Sequence, residues 1–151
     1  MIHAPSQQLI HPNLMTSALP AEEDFSVMAE QGYDMVISMC QPIDSVTLED
    51  EDGLVSAAGM RYIHLPVTYA EPKLDEYELL RDLLRTLQEH KVWLHCARNY
   101  RVSAFMYIFH VVEMTKAPEE ARAILHRVWE PNATWQALID EAIEKYAYQY
   151  L

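Results

Sequence analysis

The sequence is poor in cations, with only 11 lysines and arginines against 23 aspartates and glutamates, which gives a formal net charge of −12 at pH 7. A surface of this charge repels the phosphate backbone of nucleic acids and the headgroups of anionic membranes. We therefore expect neither nucleic acid nor a membrane as a partner. Any anion site must be built locally, from a few basic side chains and from backbone amides.

Cysteine is also scarce, since only Cys40 and Cys96 occur. Two cysteines cannot form a disulfide framework, and their spacing is not that of zinc ligands. The N-terminal segment lacks the basic start and the long apolar stretch of a signal peptide. We therefore expect a cytoplasmic protein that needs no metal and no other cofactor.

Glycine occurs only three times in 151 residues, and 50% of the residues are hydrophobic. This composition excludes a low-complexity or disordered chain and fits one compact domain with a substantial core. The longest strongly apolar stretch without charges, residues 102–112, is too short to span a bilayer. We predict an N-terminal lead over residues 1–16 and a single domain over residues 17–151.

Short apolar runs alternate with amphipathic stretches along that domain. Runs of buried-strand type cover residues 34–39, 61–67 and 91–95, and predicted helices cover residues 20–31, 74–90, 102–114 and 117–129, with another that starts near residue 132. An acidic stretch near residue 50 is predicted to begin one more helix. This alternation predicts an α/β fold, a small and mostly parallel sheet flanked by helices.

Several residues mark the predicted helix ends. Gly32 suits the C-terminal cap of the first helix, Pro118 a first-turn position, and Asn132 an N-cap. For the leucine-rich helix we predict a capping box of Asp75 and Glu78 and a staple of Leu74 and Leu79. One buried stripe is predicted on that helix, formed by Leu79, Leu80, Leu83, Leu84 and Leu87.

Cys96 follows the third predicted strand directly and precedes an apolar helix. Ligands bind at the carboxyl ends of strands in such sheets. A thiolate is the reactive form of cysteine, and both a helix N-terminus and nearby cations such as Arg98 and Arg101 stabilise it. Successive amides between a strand and a helix form an anion nest, and Ser103 can donate a hydrogen bond to the sulfur. A cysteine on the floor of an anion cradle indicates nucleophilic attack on phosphorus or sulfur.

Residues 95–103, HCARNYRVS, resemble the signature loop of the cysteine-dependent protein tyrosine and dual-specificity phosphatases. That pattern is His-Cys, five residues with a central Gly, Arg, and then Ser or Thr. Residues 17–39 and the run GMRYIHLPV (59–67) resemble a bacterial phosphatase-like family otherwise found fused to beta-lactamase-like hydrolases. The similarity covers residues 17–105. It implies a dual-specificity-phosphatase-like fold and a hydrolase that acts on a phosphorylated small molecule or a phosphoprotein.

The resemblance also implies roles for individual residues. Cys96 would be the nucleophile that takes the phosphoryl group, and Arg101 would bind its equatorial oxygens. His95 would orient the loop, and Ser103 would stabilise the thiolate when it leaves in the second step. The phosphate-binding cradle would consist of Ala97, Arg98, Asn99, Tyr100, Arg101 and Val102.

The loop differs from the phosphatase pattern in two ways. Arg101 is the fifth residue after Cys96, whereas the phosphatases carry Arg at the sixth, here Val102. The shorter spacing is typical of rhodanese-type sulfurtransferases, and the bacterial family also tolerates it. Two alternatives therefore stand beside the phosphatase: a sulfurtransferase that uses a Cys96 persulfide, and a catalytically weak oxyanion-binding module. Asn99 replaces the central Gly, and Asn is the next most tolerant residue of a positive φ.

The general acid of the phosphatases is an Asp on the loop after the preceding strand, which aligns here with Val67 or Thr68. Glu71 is the nearest carboxylate, and we predict it as the substitute. General acid catalysis contributes about 10²–10⁴ in rate, so its absence would restrict the substrates to those with good leaving groups. For Cys40 we predict a core thiol; the alternative is a resolving cysteine that forms a disulfide with oxidised Cys96.

Overall fold

Five short strands form one sheet in the order β1-β2-β5-β3-β4. In the computed structural model, which describes residues 1–146, the strands are β1 Gln8–His11, β2 Leu14–Ser17, β3 Met35–Ser38, β4 Arg61–His64 and β5 Val92–His95. The neighbours β2–β5, β5–β3 and β3–β4 are parallel, and β1 is antiparallel to β2. The predicted α/β class with a small, mostly parallel sheet is confirmed.

Six helices connect and cover the strands. They are α1 Asp24–Glu30, α2 Glu51–Ala57, α3 Leu74–Thr86, α4 Tyr100–Val112, α5 Pro118–His126 and α6 Ala133–Tyr146. Within residues 1–146, none of these helices has the length and apolar character that crossing a membrane requires.

The sheet separates two apolar cores because successive side chains of a strand point to opposite faces. In β5, Val92 and Leu94 belong to the larger core, which holds the buried faces of α3, α4, α5 and α6. Trp93 between them faces the smaller core, where it packs with Phe25 and Met28 of α1. Strand β3 alternates in the same way, with Met35 and Ile37 in the larger core and Val36 in the smaller one. Both β5 and β3 are therefore covered on both faces, as central parallel strands are.

The N-terminal segment is more ordered than the sequence indicated. The prediction of a loose lead over residues 1–16 is wrong for its second half, because residues 8–17 form a hairpin that joins the sheet. Its second strand pairs with β5 from Leu14↔Val92 to Ser17↔His95. Two four-residue runs give almost no periodic signal, and it is this pairing with a distant strand that orders them.

The ends of the helices agree with the sequence in most places. Gly32 has a φ of +94° after α1, Pro118 is the first residue of α5, and the Asn132 side chain accepts a hydrogen bond from Trp135 N at 2.9 Å. Eleven of the 13 residues of α4 are buried, which confirms the prediction of a largely buried helix after the cysteine loop.

Helix α3 differs from its prediction at its start. The backbone N–H of Lys73 donates to Glu76 Oε1 at 2.7 Å, so Glu76 caps the helix at Lys73, and the predicted capping box of Asp75 and Glu78 is wrong. Leu79 is 57% exposed, so it belongs neither to the buried stripe nor to a staple. The helix begins at Leu74, two residues earlier than a cap at Asp75 required. It buries Tyr77, Leu80 and Leu84, which leaves Leu79 on the exposed side.

We predict that Leu14→Ala lowers the free energy of unfolding by about 2–5 kcal/mol, the usual cost of a large-to-small change in a core. Leu14 is 1% exposed, whereas Leu9 on the same hairpin is 59% exposed. Leu9→Ala is therefore the matched control and should change stability by less than about 0.5 kcal/mol. Equal effects of the two variants in urea unfolding would show that the hairpin is not part of the folded core.

Candidate active site

The carboxyl ends of β3, β4 and β5 converge on a cavity of about 400 Å³. Its walls come from the three loops that follow these strands, and the loop after β5 contributes Cys96, Arg98 and Arg101. The cysteine follows β5 directly and is fully buried. The sequence-based position of the site, at the carboxyl edge of the parallel sheet, therefore matches this cavity.

Unpaired backbone amides surround Cys96. Helix α4 begins at Tyr100, and the first N–H groups of a helix have no partner within the helix. Within residues 1–146, the structure gives no protein acceptor for the amides of residues 97–102, and the first paired donor is Ser103 N, which bonds to Asn99 O at 2.9 Å. Consecutive free amides at a helix N-terminus favour an anion.

Asn99 holds the turn of this loop. Its backbone is left-handed, with φ +66° and ψ +8°, as expected for the residue that stands at the position of the central Gly. Its side-chain Nδ2 donates to Ser6 O at 2.8 Å, which ties the loop to the N-terminal segment. Asn is thus used both for its tolerance of positive φ and for its amide.

The guanidinium of Arg101 is buried and bound on several sides. Nη1 donates to Val67 O at 2.9 Å and to Met39 O at 3.3 Å, and Nη2 donates to Asp44 Oδ2 at 2.8 Å. Burial opposes the charge of Arg101, but the hydrogen bond to Asp44 and the proximity of Cys96 and Asp44 outweigh it and raise the pKa of Arg101. Arg101, the fifth residue after Cys96, lines the same cavity as Cys96.

Of three other predicted site residues, Ser103 and Glu71 do not make the contacts that were predicted, whereas Arg98 does line the cavity. Ser103 Oγ donates to Tyr100 O at 3.0 Å, within the first turn of α4, and not to the sulfur. Glu71 is exposed and is not part of the cavity wall, to which the same loop contributes Thr68 and Tyr69. The structure thus does not bring Glu71 to the cysteine. Arg98 lines the cavity, with Nη2 3.4 Å from Ser45 Oγ.

Buried hydrogen bonds of His95 link the cysteine loop to Glu51 of α2. His95 Nε2 donates to Glu51 Oε2 at 2.5 Å, and its Nδ1 lies 3.2 Å from Cys96 O and 3.9 Å from Cys40 Sγ. Burial lowers the pKa of His95, but hydrogen bonds to Cys40 and Glu51 and the charge of Glu51 outweigh it and raise the pKa to about 10. His95 is therefore an imidazolium at neutral pH that joins the loop to α2, in keeping with its predicted orienting role.

Cys40 faces a second cavity of about 620 Å³, which lies beside α2 and β4 and is also lined by Glu51, Tyr62 and His64. Both cysteines are free thiols. Within residues 1–146, no three His, Cys, Asp or Glu side chains are grouped so that they could hold a metal ion.

Comparison with known proteins identifies the family. A scan of family models and a search of curated proteins gave no match. Among solved structures, a protein described as a "putative phosphatase (DUF442)" from Shewanella putrefaciens CN-32 is 30% identical, with a TM-score of 0.84 over 95% of this chain and 94% of that chain. This chain belongs to the DUF442 family.

More distant structures share the fold of this DUF442 protein. PTPMT1, solved in complex with PI(5)P, is 14% identical with a TM-score of 0.77 over 96% of this chain and 99% of that chain. TpbA from P. aeruginosa, solved as a variant in complex with pTyr, is 18% identical with a TM-score of 0.71 over 97% and 95% of the two chains. These likenesses show a shared fold, and it is the fold that the resemblance of the cysteine loop implied.

The sequence analysis did not identify the acidic residue of the DUF442 site, Asp44. It is the one carboxylate in the cavity wall that the structure describes, and its side chain is only 9% exposed. The signal was present, because Asp44 follows β3, and β3 ends at the same edge of the sheet as β5. The phosphatase pattern places its general acid on the loop after β4, and it therefore gave no role to a carboxylate after β3.

We predict that Asn99→Ala destabilises the protein by about 1–2 kcal/mol, because alanine tolerates this positive φ less well than asparagine and cannot make the hydrogen bond to Ser6 O. Asn99→Gly removes that strain and loses only the hydrogen bond to Ser6 O, so it should cost less. Thermal unfolding of both variants measures the difference. If the alanine variant is as stable as the glycine variant, the left-handed backbone at Asn99 does not occur in solution.

We also predict a pH-dependent role of Glu51 in stability. The folded-state pKa of His95, about 10, exceeds the ordinary histidine value of 6.5 in an unfolded chain, so the stabilisation by the His95–Glu51 pair is complete below pH 6.5 and is lost as the pH rises through 10. Wild type should therefore exceed Glu51→Gln in unfolding free energy at pH 6, and the gap should shrink between pH 7 and pH 10, by at most about 1.4 kcal/mol per pH unit for one proton. A gap that stays constant over that range would contradict a charged His95–Glu51 pair.

Proposed function

We propose that this DUF442 protein hydrolyses phosphate monoesters through a phosphocysteine on Cys96. The observation that carries the proposal is the arrangement around its sulfur: free amides over residues 97–102 and a guanidinium from Arg101 in the wall of one cavity. Amides and an arginine fork are the usual ligands of a tetrahedral oxyanion. Membership of a family whose solved relative is described as a phosphatase supports the same activity.

The residues suit a two-step displacement. The Cys96 thiolate attacks phosphorus, the S–P bond forms, and the ester P–O bond breaks with release of the alcohol or phenol oxygen. Water then attacks phosphorus, the S–P bond breaks, and phosphate and the thiolate are released. The free amides and Arg101 would hold the equatorial oxygens in both steps, where the charge of the transition state is spread over them.

The proton donor limits the substrates. Glu71 lies outside the cavity wall, and the Asp44 carboxylate is bound to Arg101 and to the backbone N–H of Gln41 at 2.9 Å. A site with no free carboxylic acid favours leaving groups that need little protonation. We therefore propose aryl phosphates, such as a small phenolic monoester or a phosphotyrosine side chain, as the substrate class.

The cavity wall is suited to an aromatic group. Tyr69 and Tyr100 both line it, and Tyr100 stacks on Trp129 with ring centroids 4.5 Å apart and an interplanar angle of 3°. Tyr69 is held by the same aromatic cluster, 6.1 Å from Trp129. TpbA was solved with pTyr, which fits such a wall. A phosphoinositide like that bound to PTPMT1 is less favoured, because Arg98 is the one further cation in the described wall and the chain carries a net charge of −12.

Both thiols of this protein are free, and a thiolate nucleophile needs reducing surroundings to stay active. We therefore propose that it works in the cytoplasm, on a phosphorylated small molecule or a phosphoprotein.

The test is the hydrolysis of para-nitrophenyl phosphate. Cys96→Ser should lower kcat by more than about 10³-fold, because the serine hydroxyl is not ionised and cannot replace the thiolate. Cys40→Ser is the matched control, and it should keep kcat within roughly tenfold because Cys40 lies outside this cavity.

Other outcomes would contradict the proposal. Transfer of sulfur from thiosulfate to cyanide without phosphate release would identify a persulfide enzyme. Oxyanion binding without either turnover would identify a binding module.

A further inference from the structure

The loop after β3 places a negative charge at the wall of a cavity built for an anion. Asp44 Oδ2 lies 2.8 Å from Arg101 Nη2, and the two side chains are 9% and 4% exposed. The carboxylate is itself fixed, because Oδ2 accepts the backbone N–H of Gln41 at 2.9 Å and Asp44 N donates to Gln41 O at 3.0 Å. It is therefore a built feature of the site and not a flexible surface charge.

Arg101 does not need Asp44 for its position alone. Its Nη1 is already bound to the carbonyls of Met39 and Val67, at the ends of β3 and β4. Asp44 accepts a hydrogen bond from one N–H of Nη2. Within residues 1–146 the structure gives no acceptor for Nε–H. The Nε–Nη2 edge, the fork that binds an oxyanion side-on, keeps two donors while the guanidinium shares its charge with a carboxylate.

Carboxylate and oxyanion would lie on the same guanidinium. Their repulsion acts within a few ångström, far inside the screening length of physiological salt, and in a buried wall that water screens weakly. A dianion experiences this repulsion more strongly than a monoanion of the same shape.

We propose that Asp44 is a specificity-determining residue that weakens the binding of dianions at Cys96 by partly neutralising Arg101. The inference rests on the proposed function only in that the cavity must bind an oxyanion. Its consequence is that the dianionic form of product phosphate, which is in equilibrium with the monoanion near neutral pH, is held loosely and leaves.

The decisive experiment is the affinity of the intact protein for sulfate, measured by isothermal titration calorimetry at pH 7. Asp44→Asn keeps an oxygen that can accept from Arg101 and removes the charge, so it should bind sulfate roughly tenfold more tightly than wild type. The gain for methanesulfonate, a tetrahedral monoanion, should be smaller. A structural effect on the loop would change both affinities alike.

Glu49→Gln is the matched control. Glu49 lies on the same loop and is exposed, so the change alters the net charge by the same amount without reaching Arg101. It should leave both affinities within about twofold of wild type, since exposed charges are screened. Asp44→Ala is the second variant, should the asparagine variant prove unstable, and it should also bind sulfate more tightly than wild type.

Each remaining result overturns a defined part of the proposal. If wild type binds sulfate and both Asp44 variants bind it equally or more weakly, Asp44 does not oppose the anion, and the phosphatase proposal stands. If wild type and the variants bind neither anion while the protein is folded, the cavity is not an oxyanion site, and both proposals fail. Equal gains for sulfate and methanesulfonate would exclude discrimination by charge.

Discussion

One buried guanidinium joins the parts of the molecule that make the site. Arg101 starts in the first turn of α4, and its side chain reaches the carbonyls of Met39 and Val67 and the carboxylate of Asp44. The ends of β3 and β4 and the loop between β3 and α2 are therefore fixed relative to the cysteine loop by one side chain. Removal of one partner of such a buried ion pair leaves an uncompensated charge, so the pair constrains all of these elements together.

Arg101 also supplies positive charge at an anion site in a chain that is strongly negative overall. A chain with a net charge of −12 disfavours anions at long range, so an anion site needs short-range donors. The free amides over residues 97–102 supply these without adding net charge, and Arg101 supplies a buried cation in the same cavity wall. His95 contributes a second buried positive charge below the loop, balanced by Glu51. The two buried cations, Arg101 and His95, are thus each paired with a carboxylate, which offsets the cost of burying them.

The sequence predicted the features that depend on local patterns. The alternating apolar runs predicted the central parallel strands, and the left-handed conformation of Asn99 followed from its place in the loop. What it could not predict depends on distant partners. Residues 8–17 form strands because β5 offers an edge, and Asp44 reaches Arg101 across 57 positions of sequence. Glu71 is merely the carboxylate nearest in sequence to the acid position of the phosphatase pattern, and the three-dimensional structure places Asp44 in the cavity wall instead.

The short spacing between Cys96 and Arg101 places the arginine in the first turn of α4. Because α4 begins at Tyr100, Arg101 is already a helical residue, and the hydrogen bonds of the helix fix its backbone. With three further bonds from its side chain, the guanidinium has little conformational freedom left to lose when an oxyanion binds. Such preorganisation is the condition under which charge stabilisation accelerates a reaction, because the donors do not have to reorient as the transition state forms. An arginine placed at Val102 of this helix, in place of Arg101, would start about 100° further around the axis of α4 and could not make the same contacts with β3 and β4.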